Sequence, residues 1–262
     1  MNCFWQKNEN ERPLDRLVED GGFCGIFRTI GCVGDSLSSG EYEIVKEDGT
    51  REYIDLYEYS WGQFISYTTG SKVYNFSRGG MTAKEYMESF AEANDFWNPR
   101  KACQAYIIAL GVNDLYGQMQ EVGTVEDICR EDWKKNRPTF AGYFAQVVQR
   151  LKEIQKDAKF FFVTMPQETD RQPEAADRHA ALMYDMADFF SNSYVIDLRK
   201  YGPVYDRDFK ELFYYNGHMH PCGYQLTAKM IMSYMDHIIR HHMKDFKLAG
   251  MIGHQGGNPK EG

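Results

Sequence analysis

The 262-residue chain has no Lys/Arg-rich run, and its formal net charge is -8. That balance argues against nonspecific binding to nucleic acid or to an anionic membrane. No apolar stretch approaches the roughly 20 residues of a membrane span. Met1-Asn2-Cys3-Phe4-Trp5-Gln6-Lys7 lacks the charged-then-apolar build of a signal peptide. Six cysteines, at 3, 24, 32, 103, 129 and 222, include no C-x-x-C pair and no metal-ligand spacing. A disulfide framework is not expected in a chain of this size, so reduced thiols in a cytoplasmic setting are the expectation. A periplasmic or secreted protein is the alternative for a chain whose leader has been removed.

Cofactor signatures are missing as well. Gly31-Cys32-Val33-Gly34 is not G-x-G-x-x-G, and no G-K-[ST] phosphate loop occurs. His237, His241 and His242 contain an i, i+4 pair but no H-E-x-x-H order, which reads as a solvated helix face. No cofactor and no metal are therefore expected.

What is present is an alternation of short apolar runs and amphipathic stretches. Runs at 27–33, 72–76, 105–110, 159–165 and 194–198 predict five strands. The run at 105–110 is almost wholly apolar, which suits a central strand. Helices are expected at 10–20, 60–67, from Thr82 toward Ala93, at 140–156, at 173–190 and from Pro221 to about Lys244. Thr82 and Glu85 make a capping-box pair for the third of these. Strands alternating with helices imply an α/β fold, a parallel sheet covered on both faces. Two alternating runs around Asp48-Gly49 predict a hairpin inserted at 42–56, and 115–137 has no clear period. Both are expected to shape a pocket. No linker or repeat splits the chain, so residues 1–248 form one domain and 249–262 a flexible tail.

Three of the strands end on small or polar residues: Gly34-Asp35-Ser36, Gly79-Gly80 and Gly111-Val112-Asn113-Asp114. At one edge of a parallel sheet these would form an acyl-transfer constellation. Ser36 would attack a carbonyl, and the Ser36 and Gly80 backbone N–H groups with the Asn113 amide would hold the oxyanion. A glycine suits the middle position because no Cβ then blocks a substrate from the N–H. Asp35 and Asp114 read as loop-bracing acceptors rather than proton carriers.

Gly34-Asp35-Ser36-Leu37-Ser38 resembles the first block of the GDSL, or SGNH, hydrolase family. Asn75-Phe76-Ser77-Arg78-Gly79-Gly80-Met81-Thr82 is similar to its second block, and Gly111-Val112-Asn113-Asp114 to its third. The resemblance spans residues 34–224. It implies a three-layer α/β/α sandwich with a flavodoxin-like parallel sheet, ester hydrolysis without metal or organic cofactor, and the roles given above for Ser36, Gly80 and Asn113. Ser36 lies outside any G-x-S-x-G elbow, which argues against the α/β-hydrolase fold.

The family places its base just before the last helix, commonly as D-x-x-H-P with a Gly-Tyr-like pair five residues after the histidine. His220-Pro221 matches the dipeptide, whereas His218 has Gly223-Tyr224 at the second spacing. Pro221 fits the first helical position, which makes His220 the N-cap and His218 the expected base, with His220 as the alternative. Neither histidine has a carboxylate three residues earlier, because Tyr215 and Gly217 stand there. A main-chain carbonyl is then expected to orient the base, with Asp206 or Asp208 as other options.

These readings favour a serine esterase, or acylhydrolase, acting on small acyl esters. Family analogy and an aromatic share of 15% suggest acetyl esters of carbohydrates, a carbohydrate esterase, with rings for sugar stacking. The tyrosines could equally serve the core and surface. The competing reading is a weakly active or inactive binding protein on the same scaffold. The expected partner is a small-molecule ester; the sequence sets no oligomeric state.

Overall fold

Parallel strands buried on both faces need near-continuous apolar runs, and the central strands at 105–109 and 159–163 come close to that pattern. The computed structural model describes residues 10–254. In chain order its elements are β1 (Thr29–Gly34), α1 (Ser36–Ser39), β2 (Glu41–Val45), β3 (Arg51–Asp55), α2 (Trp61–Thr69) and β4 (Lys72–Ser77). Next come α3 (Ala83–Glu85), running through a π turn into α4 (Ala91–Ala93), then β5 (Ala105–Ala109), α5 (Phe140–Ile154), β6 (Lys159–Val163) and α6 (Pro173–Phe189). The chain closes with β7 (Ser193–Ile196), α7 (Leu198–Tyr201), α8 (Arg207–Phe213), β8 (Tyr214–Tyr215), β9 (His218–Met219) and α9 (Pro221–His241).

The main sheet has the order β4-β1-β5-β6-β7, all pairs parallel. In strand sequence this is 2-1-3-4-5, the flavodoxin-like order, and the direction in which strands are added reverses at β1. Ligands of such sheets bind beyond the carboxyl ends at that reversal, so β1, β4 and β5 are the strands whose ends matter. Period-two alternation divides their side chains between two cores. Val33, Phe76, Ile108, Phe160 and Phe162 pack with α5 and α6, while Ile30, Cys32, Ile107, Phe161 and Val163 pack with α2 and α9. This is a three-layer α/β/α sandwich. Each such side chain contributes about 1.5–3 kcal/mol on burial.

The predicted hairpin forms as a separate antiparallel pair, β2 with β3, and Gly49 at its tip has φ 82°. It packs on β9 and α1. One expectation fails, and two further stretches carry order that the sequence pattern does not assign. Residues 10–20 make turns instead of a helix, since Leu14 has φ 69° and Asp15 caps the Arg12 N–H with its carboxylate. Arg207–Phe213 is a helix started by Asp206, which accepts from the Phe209 N–H at 2.9 Å. Residues 249–254 of the expected tail are packed: Ala249–Met251 forms a 3-10 turn, and the Gln104 amide donates to the carbonyls of Gly250 and Ile252, both at 3.0 Å. Residues 255–262 of that tail, and Cys3, lie outside the described residues. Among the described residues Cys24, Cys32, Cys103, Cys129 and Cys222 form no disulfide. Among the described residues no helix is long and apolar enough to cross a membrane.

Candidate active site

The strand-end turns are built so that each presents one polar group. β1 stops at Gly34, where a Cβ would collide with the Ser38 side chain and the Ala109 carbonyl. Asp35 follows in an extended conformation as the N-cap of α1, its carboxylate accepting from the Leu37 N–H at 3.2 Å. Gly40, with φ 78°, closes α1 by donating its N–H to the Ser36 carbonyl. Ser36 thus occupies the first position of a one-turn helix and is partly exposed.

After β4 the chain turns at Gly79-Gly80. Gly80 has φ 70°, a conformation that L side chains rarely adopt, and a Cβ there would meet nothing within 4 Å. Its glycine is therefore required by backbone conformation; space before it is already open. Gly79 is the position where a Cβ would collide, and the obstacle is the Glu41 carboxyl.

The turn after β5 is stitched to the one after β4. The Asn113 amide donates to the Met81 carbonyl at 3.1 Å, and Asp114 accepts from the Ala83 N–H at 2.8 Å. Asp35 and Asp114 both brace loops, as expected. Their burial is severe: desolvation pushes the Asp35 carboxyl up to about 6 and the Asp114 carboxyl up to about 7. Sequence reasoning missed His179 of α6. Fully buried, it donates Nε2–H to the Leu110 carbonyl at 3.0 Å and fixes the start of the Asn113 turn. Burial pushes its imidazole down to about 4, so it is neutral.

The two histidines before α9 separate cleanly. His220 caps α9, its Nδ1 accepting from the Cys222 N–H at 3.2 Å while Nε2 donates to the Leu212 carbonyl at 2.7 Å. Both of its nitrogens are engaged in holding the chain. His218, on β9, lies on the side of α1, the two elements approaching within 8 Å between Cα atoms. Among the described residues no main-chain carbonyl, and neither Asp206 nor Asp208, hydrogen-bonds its ring. Instead two carboxylates of β2 flank it: Glu41 Oε1 at 3.5 Å from Nε2 and Glu43 Oε2 at 3.6 Å from Nδ1. Burial lowers the His218 pKa, opposed by the charges of Glu43 and Asp55. Glu41 is pushed up to about 7 by burial and by Asp55, Asp35 and Glu43.

Ser36, Gly80, Asn113 and His218 are therefore gathered at one end of the sheet. Beneath them an apolar cavity of about 70 Å³ is lined by Leu37, Trp61, Val112, Met165, Pro166 and Ile231, among others.

Comparisons with solved structures agree on the fold. A family two carbohydrate esterase from Clostridium thermocellum, in complex with cellohexaose, is 13% identical with a TM-score of 0.56, covering 83% of this chain and 65% of its own. The Clostridium thermocellum family 3 carbohydrate esterase is 15% identical at a TM-score of 0.50, covering 81% and 97%. A protein from Lactobacillus plantarum is 15% identical at 0.56, covering 80% and 97%. No curated protein matches the chain significantly. The sequence itself matches the GDSL-like Lipase/Acylhydrolase family over residues 32–226, a span holding all three strand-end turns and both histidines. The chain belongs to that family of ester hydrolases.

Proposed function

We propose that the protein is a serine esterase of small acyl esters, acetyl esters of carbohydrates among them, working through an acyl-Ser36 intermediate. The observation that carries this reading is the convergence of Ser36, Gly80 and Asn113 at one sheet end with His218 beside α1. In the first half-reaction Ser36 Oγ attacks the ester carbonyl and its proton passes to His218 Nε2. The oxyanion is held by the N–H groups of Ser36 and Gly80 and by the Asn113 amide. Collapse expels the alcohol, which takes the proton from His218. Water then attacks the acyl group, gives its proton to His218, and the carboxylic acid leaves as Ser36 regains the proton. Because His218 must start neutral, its lowered pKa suits a base at neutral pH.

The carbohydrate part rests on two supports. Carbohydrate esterases stand among the solved structures of the same fold. The exposed Tyr53 ring, whose centroid is 5.8 Å from that of His218, and the exposed Tyr215 offer faces for a sugar. The test is hydrolysis of p-nitrophenyl acetate and acetate release from acetylated oligosaccharides by the wild type and Ser36→Ala. Loss of both activities in the variant is expected; equal rates in the two proteins would sink the reading.

A further inference from the structure

We infer that Glu43, delivered by the β2–β3 hairpin, is the carboxylate that positions His218 in the esterase reaction proposed above, on which this inference rests. Its Oε2 stands 3.6 Å from His218 Nδ1, a buried nitrogen with no hydrogen-bond partner among the described residues. An orphaned buried donor costs about 1–3 kcal/mol. An approach of less than about 1 Å would convert the contact into a hydrogen bond, and catalytic hydrogen bonds are often long before substrate binds.

Glu43 is held ready for that contact. Oε2 accepts from the Gly217 N–H at 2.7 Å, the Asn216 amide donates to the Glu43 carbonyl at 3.1 Å, and Arg51 pairs with Oε1. The same carboxylate thus fixes the turn just before His218 and faces its ring. Glu41 is excluded from the role because it faces Nε2, the nitrogen that must serve Ser36. Asp206 is consumed in capping α8. With its proton kept on Nδ1, His218 presents a bare Nε2 to Ser36. When Nε2 takes the Ser36 proton, the imidazolium is stabilised by the Glu43 charge, and Glu43 itself takes no proton.

Other groups act on the same imidazole: Glu41 from β2, and Tyr53 and the charge of Asp55 from β3, while Arg51 of β3 pairs with Glu43 itself. The diagnostic variant is Glu43→Gln, which keeps an acceptor for Gly217 and removes the charge. With p-nitrophenyl acetate, kcat is expected to fall by about 10²–10⁴ with KM nearly unchanged. Removing an anion destabilises the imidazolium, so the acidic limb of kcat/KM moves to lower pH; freeing Arg51 pushes the same way. Glu43→Asp should recover part of kcat, and Glu47→Gln at the exposed hairpin tip should match the wild type. A Glu43→Gln enzyme with kcat within about three-fold of wild type and an unmoved limb overturns the inference. So does a loss seen in Glu41→Gln alone.

If Glu43→Gln does not fold, imidazole ¹⁵N spectra of the wild type decide. A neutral His218 protonated on Nδ1 supports the assignment, and protonation on Nε2 overturns it. Ser36→Ala run in parallel separates the two claims: full activity there defeats the esterase reading, whereas an inactive Ser36→Ala with an unaffected Glu43→Gln defeats only the role of Glu43.

Discussion

Burial of Asp114 is expected to make the stability of this protein fall as pH rises, and Asp114→Asn should remove that contribution. The carboxyl is fully buried, accepts from the Ala83 N–H through Oδ1, and leaves Oδ2 without a partner among the described residues. Desolvation raises its pKa from 3.8 to about 7. Between those values the unfolded chain is ionised while the folded chain still holds the proton. The unfolded state then binds fewer protons, so stability declines with pH across this window and levels off above it. The full penalty is on the order of 4 kcal/mol by pH 8, of which about 2–3 kcal/mol accrues between pH 5 and pH 8. Asn cannot ionise, and any cost of its amide at the Oδ2 position is the same at both pH values. The assay is urea unfolding of both proteins at pH 5 and pH 8. The stability difference, Asn minus Asp, should shift toward Asn by about 2–3 kcal/mol from the lower pH to the higher. Asp35 and Glu41, raised to about 6 and about 7, leave a residual slope of the same sign in the variant. Parallel pH dependences in the two proteins would refute the reasoning.

The histidines and the oxyanion donor give further expectations. His218→Ala should lower kcat for p-nitrophenyl acetate by about 10³-fold or more. His220→Ala should leave kcat within a few-fold and lower stability by about 1 kcal/mol through loss of the α9 cap, read by urea unfolding. Asn113→Ala should lower kcat by about 10²–10³ with little change in KM. The wild-type kcat/KM profile should keep its acidic limb below pH 6.5, the ordinary histidine value, because burial lowers the His218 pKa; a limb above that value would contradict the placement of His218.

Signals legible in the sequence were local ones. A strand that ends on Gly-Asp-Ser or Gly-Val-Asn-Asp carries its turn chemistry within a few residues, so Ser36, Asn113 and the bracing carboxylates could be read directly. The cap chemistry of Pro221 likewise distinguishes His220 from His218, and the structure gives His220 the cap. Glu43 was invisible to that logic because its partner lies at the other end of the chain, and only folding of the hairpin onto β9 brings them together. One signal was there: Glu41 and Glu43 alternate with Tyr42 and Ile44, so a strand presents both carboxylates on one face. Charges on the buried face of a hairpin need a partner, and His218 lies between them. His179 and the 207–213 helix were missed for the opposite reason. A buried histidine on an amphipathic helix, and a seven-residue helix with Phe209 as its buried residue, leave too short a pattern to read.

The central claim is the acyl-Ser36 intermediate, and rapid mixing with p-nitrophenyl acetate followed by mass spectrometry of the quenched protein tests it most directly. The account predicts an acetyl group on the peptide carrying Ser36, present in the wild type and absent in Ser36→Ala. Turnover by the wild type with the acetyl group on another residue, or turnover that persists in Ser36→Ala, would contradict it.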